Sequence, residues 1–255
     1  MLPRRIKRRM ARSLGGLLLV LLTIVGWELS RDQVMGVGER LYVRIWGDER
    51  LKEVLPPSGK RVWGLDLSHH QRQVDWDRLV ANDPPDFIIF KATEGITHKD
   101  TRYRNHIREA RERGIVCGAY HFFSFRSPGG DQARHFLKVA DPGKGDLIPV
   151  LDVEYSRRMP SADWIRKEVR AFSKEVERQL GVRPIIYCAC DFYRKYLENE
   201  IPEHQYWISS MKRKPSCDYV IWQYTDKGKV PGIRGGVDMN RLHPEVSLVD
   251  LVLKR

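Results

Sequence analysis

The chain has 255 residues, of which 42% are apolar and 31% charged, an ordinary globular composition that excludes a disordered, collagen-like or polytopic membrane protein. Its 45 Lys and Arg outnumber 33 Asp and Glu, giving a formal net charge of +12. Half of that excess sits in residues 1–13, so the body is only mildly basic and a nucleic-acid partner is not expected, although an anionic polymer or lipid headgroup would suit it.

Residues 1–13 carry Arg4, Arg5, Lys7, Arg8, Arg9 and Arg12 and no acid. An uncharged, mostly apolar run, Leu14 to Trp27, follows directly. Seventeen or so apolar residues suffice to span a bilayer, and no small-x-small cleavage site follows. The expectation is an uncleaved transmembrane signal anchor over 14–29. The positive flank keeps residues 1–13 cytoplasmic and sends the rest across a bacterial cell membrane, to the periplasmic or extracellular side. Residues 30–60 read as a linker ending in Pro56-Pro57-Ser58-Gly59, and 61–255 as the main folded domain.

From Val62 onward, short β-rich runs alternate with amphipathic stretches. Strands are predicted at 62–67, 87–92, 115–120, 148–154, 184–189, 206–209 and 219–224. Helices are predicted at 101–113, 128–140, 162–180 and 191–198, with Gly114 and Gly181 stopping the first and third. This alternation implies a mostly parallel α/β sheet, best closed as a small, irregular (β/α), TIM-like barrel. No glycine-rich phosphate loop follows the first strand. Four cysteines are too few for a disulfide scaffold and lack zinc spacing. They are expected as buried thiols, with Cys188 and Cys190 on one strand face and a disulfide left open.

Working residues in such barrels sit at the C-terminal ends of strands. Asp152 and Glu154 follow the apolar run Leu147–Leu151. On a strand they face the same side, about 6.6 Å apart along the backbone. Two carboxylates in one pocket do not both ionise easily, which yields the acid-and-anion pair that glycoside hydrolysis uses. Taken alone, the pair also fits a solvated strand end, or a metal site with His121. Asp66 lies between Leu65 and Leu67, where an acid is costly unless paired or functional. Asp238 sits in a Gly-rich stretch and reads as a turn residue when taken alone.

The ordered blocks Gly64-Leu-Asp66-Leu-Ser68, Lys91-Ala-Thr-Glu94-Gly95, Gly118-Ala-Tyr120-His121, Asp152-Val-Glu154, Ile186-Tyr187, Trp207-Ile-Ser and Trp222-Gln223-Tyr224, closing with Val237-Asp238-Met-Asn240, resemble glycoside hydrolase family 25, the Chalaropsis-type lysozymes. The resemblance spans about Val62 to Arg241. It implies an enzyme that cuts the β-1,4 bond between N-acetylmuramic acid and N-acetylglucosamine in peptidoglycan, with retention of configuration and no cofactor or metal. By position, Glu154 matches the general acid, Asp152 its partner carboxylate, and Asp66 and Asp238 two further pocket acids. Lys91, Glu94, Tyr120 and Trp222 are placed to line the substrate cleft. The implied partners are glycan strands and, through the N-terminal helix, the membrane. The competing readings are an inactive, membrane-anchored wall-binding module and a metal-dependent polysaccharide deacetylase.

Overall fold

The computed structural model describes residues 61–254. The expected anchor at 14–29 and linker at 30–60 lie outside the described residues. Among the described residues no helix is long and apolar enough to cross a membrane.

Nine strands form one sheet: β1 (Trp63–Leu67), β2 (Phe87–Glu94), β3 (His98–Lys99), β4 (Val116–Phe122), β5 (Val150–Asp152), β6 (Ile185–Ala189), β7 (Tyr206–Ser209), β8 (Ile221–Gly228) and β9 (Val237–Leu242). The order runs β1-β9-β8-β7-β6-β5-β4-β2, and β1 also pairs with β2, so eight strands close into a barrel. β3 is a two-residue hairpin partner of β2 outside that ring. Seven barrel strands run parallel, and β9 alone is antiparallel to both of its neighbours, β8 and β1. The α/β barrel expected from the alternating pattern is the fold observed.

Four helices lie between strands: α1 (Trp76–Val80), α2 (Tyr103–Glu112), α3 (Gly129–Ala140) and α4 (Ala162–Leu180). A further short helical segment runs from Cys190 to Leu197. α4 begins where the Ser161 side chain accepts from Trp164 N and stops at Gly181, whose φ of 72° suits glycine. It buries Ile165, Val169, Phe172 and Val176, one stripe at helical spacing, against the barrel wall.

Strand alternation splits the apolar residues into two layers. Leu65, Leu67, Ile88, Phe90, Leu151 and Ile186 face outward and pack in the core with the helices. Phe87, Ile89, Val150, Ile185, Trp207 and Ile221 point inward and fill the lower barrel. Leu248, Leu251 and Val252 close its floor. Ile148 N donates to Leu251 O at 2.7 Å and Leu253 N to Asp146 O at 2.8 Å, which fastens that closing segment. The polar inward positions are thereby confined to the opposite mouth.

Two expectations require correction. Val237–Leu242 is a strand and not a glycine-rich turn. Its polar residues, Asp238 and Asn240, face the mouth and remove the apolar alternation that would have marked it. The cysteines are also not all thiols: Cys190 and Cys217 form a disulfide, leaving Cys117 and Cys188 free and buried. β6 ends at Ala189 and a helical turn begins, so Cys190 does not share a strand face with Cys188.

Candidate active site

Asp66 and Asp238 stand opposite each other in the antiparallel β1–β9 register. Both point into the mouth, and Asp66 is buried. Asp66 Oδ2 accepts from Gln223 Nε2 at 3.0 Å and from Asn240 Nδ2 at 2.8 Å. Each amide is oriented from its other end. Tyr187 OH donates to Gln223 Oε1 at 2.8 Å, and Trp207 Nε1 donates to Asn240 Oδ1 at 2.9 Å. Burial, and next the charge of Asp238, push the Asp66 carboxyl up to about 8. A proton on Asp66 bridges to Asp238, whose own pKa is also raised by burial. The two acids therefore hold one proton between them at neutral pH.

Asp152 ends β5 and is buried. Its Oδ1 is enclosed and has no hydrogen-bond partner. A buried, unpaired carboxylate oxygen resists ionisation strongly. Burial, then the charges of Glu154 and Asp66, raise Asp152 well above the usual carboxylate range, against an opposing pull from Lys91. Glu154 lies two residues past the strand end. Its surface is exposed, yet the surrounding mouth and Asp238 raise its pKa, opposed by Lys91 and Tyr187. Four carboxylates thus meet in one mouth, all biased toward the protonated form. The structure brings the expected pair, Glu154 and Asp152, to the same strand end. Asp152 is the more enclosed of the two, and burial is the first cause of the upward shift in both.

The remaining expected cleft residues divide. Lys91 Nζ donates to Glu94 Oε2 at 2.7 Å and lies 4.7 Å from the Phe122 ring centre. A bulge in β2 between Lys91 and Thr93 lets Lys91 face inward while Thr93, two residues on, faces outward to His121. Tyr120 lies close enough to Asp66, Asp152 and Asp238 for their charges to raise its hydroxyl pKa, after burial, the larger cause. Trp222 lies elsewhere: its indole donates to Ser210 O at 2.9 Å and its ring packs 5.9 Å from Tyr224. Period-2 alternation turns Trp222 away from the side occupied by Gln223. Gln223, Asn240, Tyr187 and Trp207, the residues that hold Asp66, carried no assigned role in the sequence. Their signal was their place in the blocks that carry the family resemblance, at inward positions of β6, β7, β8 and β9.

A metal is poorly served here. His121 is fully buried on the outer face between Phe136 and Phe172. Gln132 Nε2 donates to two carbonyls, so its Oε1 accepts from His121 Nε2 at 3.0 Å, while His121 Nδ1 accepts from Thr93 Oγ1 at 2.7 Å. Burial lowers the His121 pKa to about 4, so it stays neutral. Both ring nitrogens are engaged and cannot join Asp152 and Glu154. Among the described residues no group of three His, Cys, Asp or Glu is arranged to hold a metal ion.

Comparison with known proteins follows the same outline. The family model for glycosyl hydrolases family 25 matches residues 65–233. The uncharacterized protein YegX of Escherichia coli K12 is 34% identical over 209 residues, covering 78% of this chain and 76% of that protein. The autolytic lysozyme of Clostridium acetobutylicum is 30% identical over 180 residues, 69% of this chain and 54% of that one. Among solved structures, a family 25 glycosyl hydrolase from Bacillus anthracis superposes with a TM-score of 0.67 at 30% identity, covering 71% of this chain and 88% of its own.

Proposed function

We propose that this chain, which belongs to glycosyl hydrolase family 25, cuts peptidoglycan glycan strands with Glu154 as proton donor and Asp152 as its enclosed partner. The chain is a glycoside hydrolase of the lysozyme type. The observation that carries the division of roles is the enclosed, unpartnered Oδ1 of Asp152 beside the more open Glu154.

In the resting cleft the Asp152–Glu154 pair carries one proton, held on Asp152. A bound N-acetyl sugar brings an amide N–H against the Asp152 carboxylate, which stabilises the anion. The displaced proton moves to Glu154, at the open side. Glu154 then gives that proton to the glycosidic oxygen as the bond to the anomeric carbon breaks. The substrate's N-acetyl oxygen closes on the same carbon, with Asp152 holding the amide. Water opens this ring while Glu154 takes its proton back, and configuration is retained. Asp66 and Asp238 share a second proton, so the mouth keeps negative charge near the developing cation without four ionised acids.

The alternatives are weaker. An inactive binding module would maintain several desolvated carboxylates with no chemistry to offset their cost. A metal-dependent deacetylase is disfavoured because His121, the histidine expected to join Asp152 and Glu154 in such a site, has both ring nitrogens engaged, and no metal-holding group of three is found among the described residues.

The anchor and compartment form part of the same reading. The basic run before Leu14 favours a single-pass anchor with the barrel outside the cytoplasm. The Cys190–Cys217 disulfide supports that side, because such bonds persist in oxidising compartments.

Mass spectrometry of digested, purified peptidoglycan is the direct test. New reducing ends on N-acetylmuramic acid are expected, and ends on N-acetylglucosamine would reject the bond assignment. Glu154→Gln should lower kcat about 10²- to 10⁴-fold with KM little changed. Near-wild-type turnover by that variant would remove Glu154 from its role.

A further inference from the structure

The acids account for bond cleavage but leave a group of cations on the same face without a task. β6 and β7 are parallel neighbours, so the segments after Ala189 and Ser209 emerge side by side at the mouth. Between them lies a cavity of about 440 Å³. Arg194, Lys195, Arg213 and Lys214 line it, against a single carboxylate, Asp191. Asp191 Oδ1 is turned to the backbone, accepting from Phe192 N at 2.9 Å. Lys195 Nζ lies 5.1 Å from the Tyr196 ring centre and is drawn on by the Asp191 charge, but none of the four cations forms a close ion pair among the described residues.

The walls are built rather than loose. The Cys190–Cys217 disulfide ties one segment to the other. Arg194 Nη2 donates to Ser216 Oγ at 2.8 Å and to Ser216 O at 3.2 Å. Ser210 Oγ donates to Arg213 O at 2.7 Å, closing the turn that presents Arg213 and Lys214. A cavity fixed in this way loses little freedom when it binds a ligand. It also adjoins the acids. Tyr155, next to Glu154, packs its ring 5.1 Å from Phe192 and 6.3 Å from Tyr196, on the segment that carries Arg194 and Lys195. Ser210 N donates to Gln223 O at 3.0 Å, and the Gln223 side chain holds Asp66.

We infer that this cavity is a subsite for the carboxylates of the peptide stem carried by muramic acid, an inference that rests on the muramidase reading. N-acetylated sugar rings are uncharged and give four cations nothing to pair with. The stem hangs from the lactyl group of the sugar whose bond is cut, and its acidic residues present carboxylates that guanidinium and ammonium groups bind well. The cations therefore select peptide-bearing strands and set their register across the acids.

The test compares wild type with Arg213→Gln/Lys214→Gln, whose side chains hold no other part of the fold, and with Arg194→Gln. Substrates are peptide-bearing glycan strands and strands stripped by an amidase, which retain only the lactyl carboxylate. Wild type is expected to favour peptide-bearing strands in kcat/KM by roughly tenfold, the size of two or three exposed charge pairs. The double variant should lose that preference through KM and cut stripped strands as wild type does. Equal preference in wild type and variant would overturn the subsite. A loss confined to stripped strands would also overturn it, by assigning the cations to the lactyl carboxylate. Calorimetry with L-alanyl-D-glutamyl-meso-diaminopimelate separates this inference from the muramidase reading. Salt-sensitive binding that the double variant abolishes supports the subsite even if neither strand is cut, and no binding by wild type rejects it.

Discussion

Asp66 shows how far one residue's chemistry can be read before a structure exists. An acid between two leucines signals a buried carboxyl with a purpose, and the side chain is indeed buried in the mouth. The sequence could not name its partners, because Gln223 and Asn240 lie 157 and 174 positions away. Only closure of the barrel brings them together. The raised pKa has a consequence for stability. Unfolded, Asp66 ionises near 3.8; folded, near 8. Its protonated form therefore favours the fold fully below about pH 4, and that contribution fades as pH rises through 8. Thermal unfolding should show Tm falling between pH 5 and pH 8. Asp66→Asn mimics the neutral acid and should flatten that slope; an unchanged slope would assign the pH dependence to other groups.

At the scale of elements, legibility followed apolar patterning. The observed limits of α4, Ala162–Leu180, coincide with those predicted, because its apolar stripe and Gly181 stop agree, and the structure adds a Ser161 cap at its start. β9 was missed, because its inward positions are polar for the sake of the mouth, and patterning fails where a strand serves chemistry. The disulfide was equally hidden, since 27 residues separate Cys190 from Cys217 and only the packing of two loops joins them. The contact between α3 and α4 offers a test of element packing. Gly129 N donates to Glu168 Oε2 at 2.7 Å, and a Cβ on Gly129 would lie 1.9 Å from the Glu168 carbonyl oxygen. Gly129→Ala should force the helices apart and cost about 1–3 kcal/mol, read as a lower Tm or denaturation midpoint. A variant as stable as wild type would mean that the helices slide without penalty.

At the scale of the whole chain, the proposed anchor over residues 14–29 can be tested apart from the barrel. The anchor reading predicts that the full chain sediments with membranes and resists salt extraction, and that protease added outside the cytoplasmic membrane reaches the barrel. Recovery of the barrel in the soluble fraction, cut after residue 29, would replace tethering with release. Tethering would confine cleavage to wall within reach of the membrane, and peptide-stem selection would narrow it further, to strands not yet stripped.

Closure of the eight strands also bears on how the enzyme behaves when crowded. Each barrel strand is paired on both sides, so none offers an open edge for a neighbouring molecule to extend. Ile96, Tyr155 and Met211, the large apolar side chains most exposed among the described residues, all follow strand ends at the mouth. For the barrel, apolar self-association would therefore run through the surface that receives the glycan, so bound substrate would compete with it.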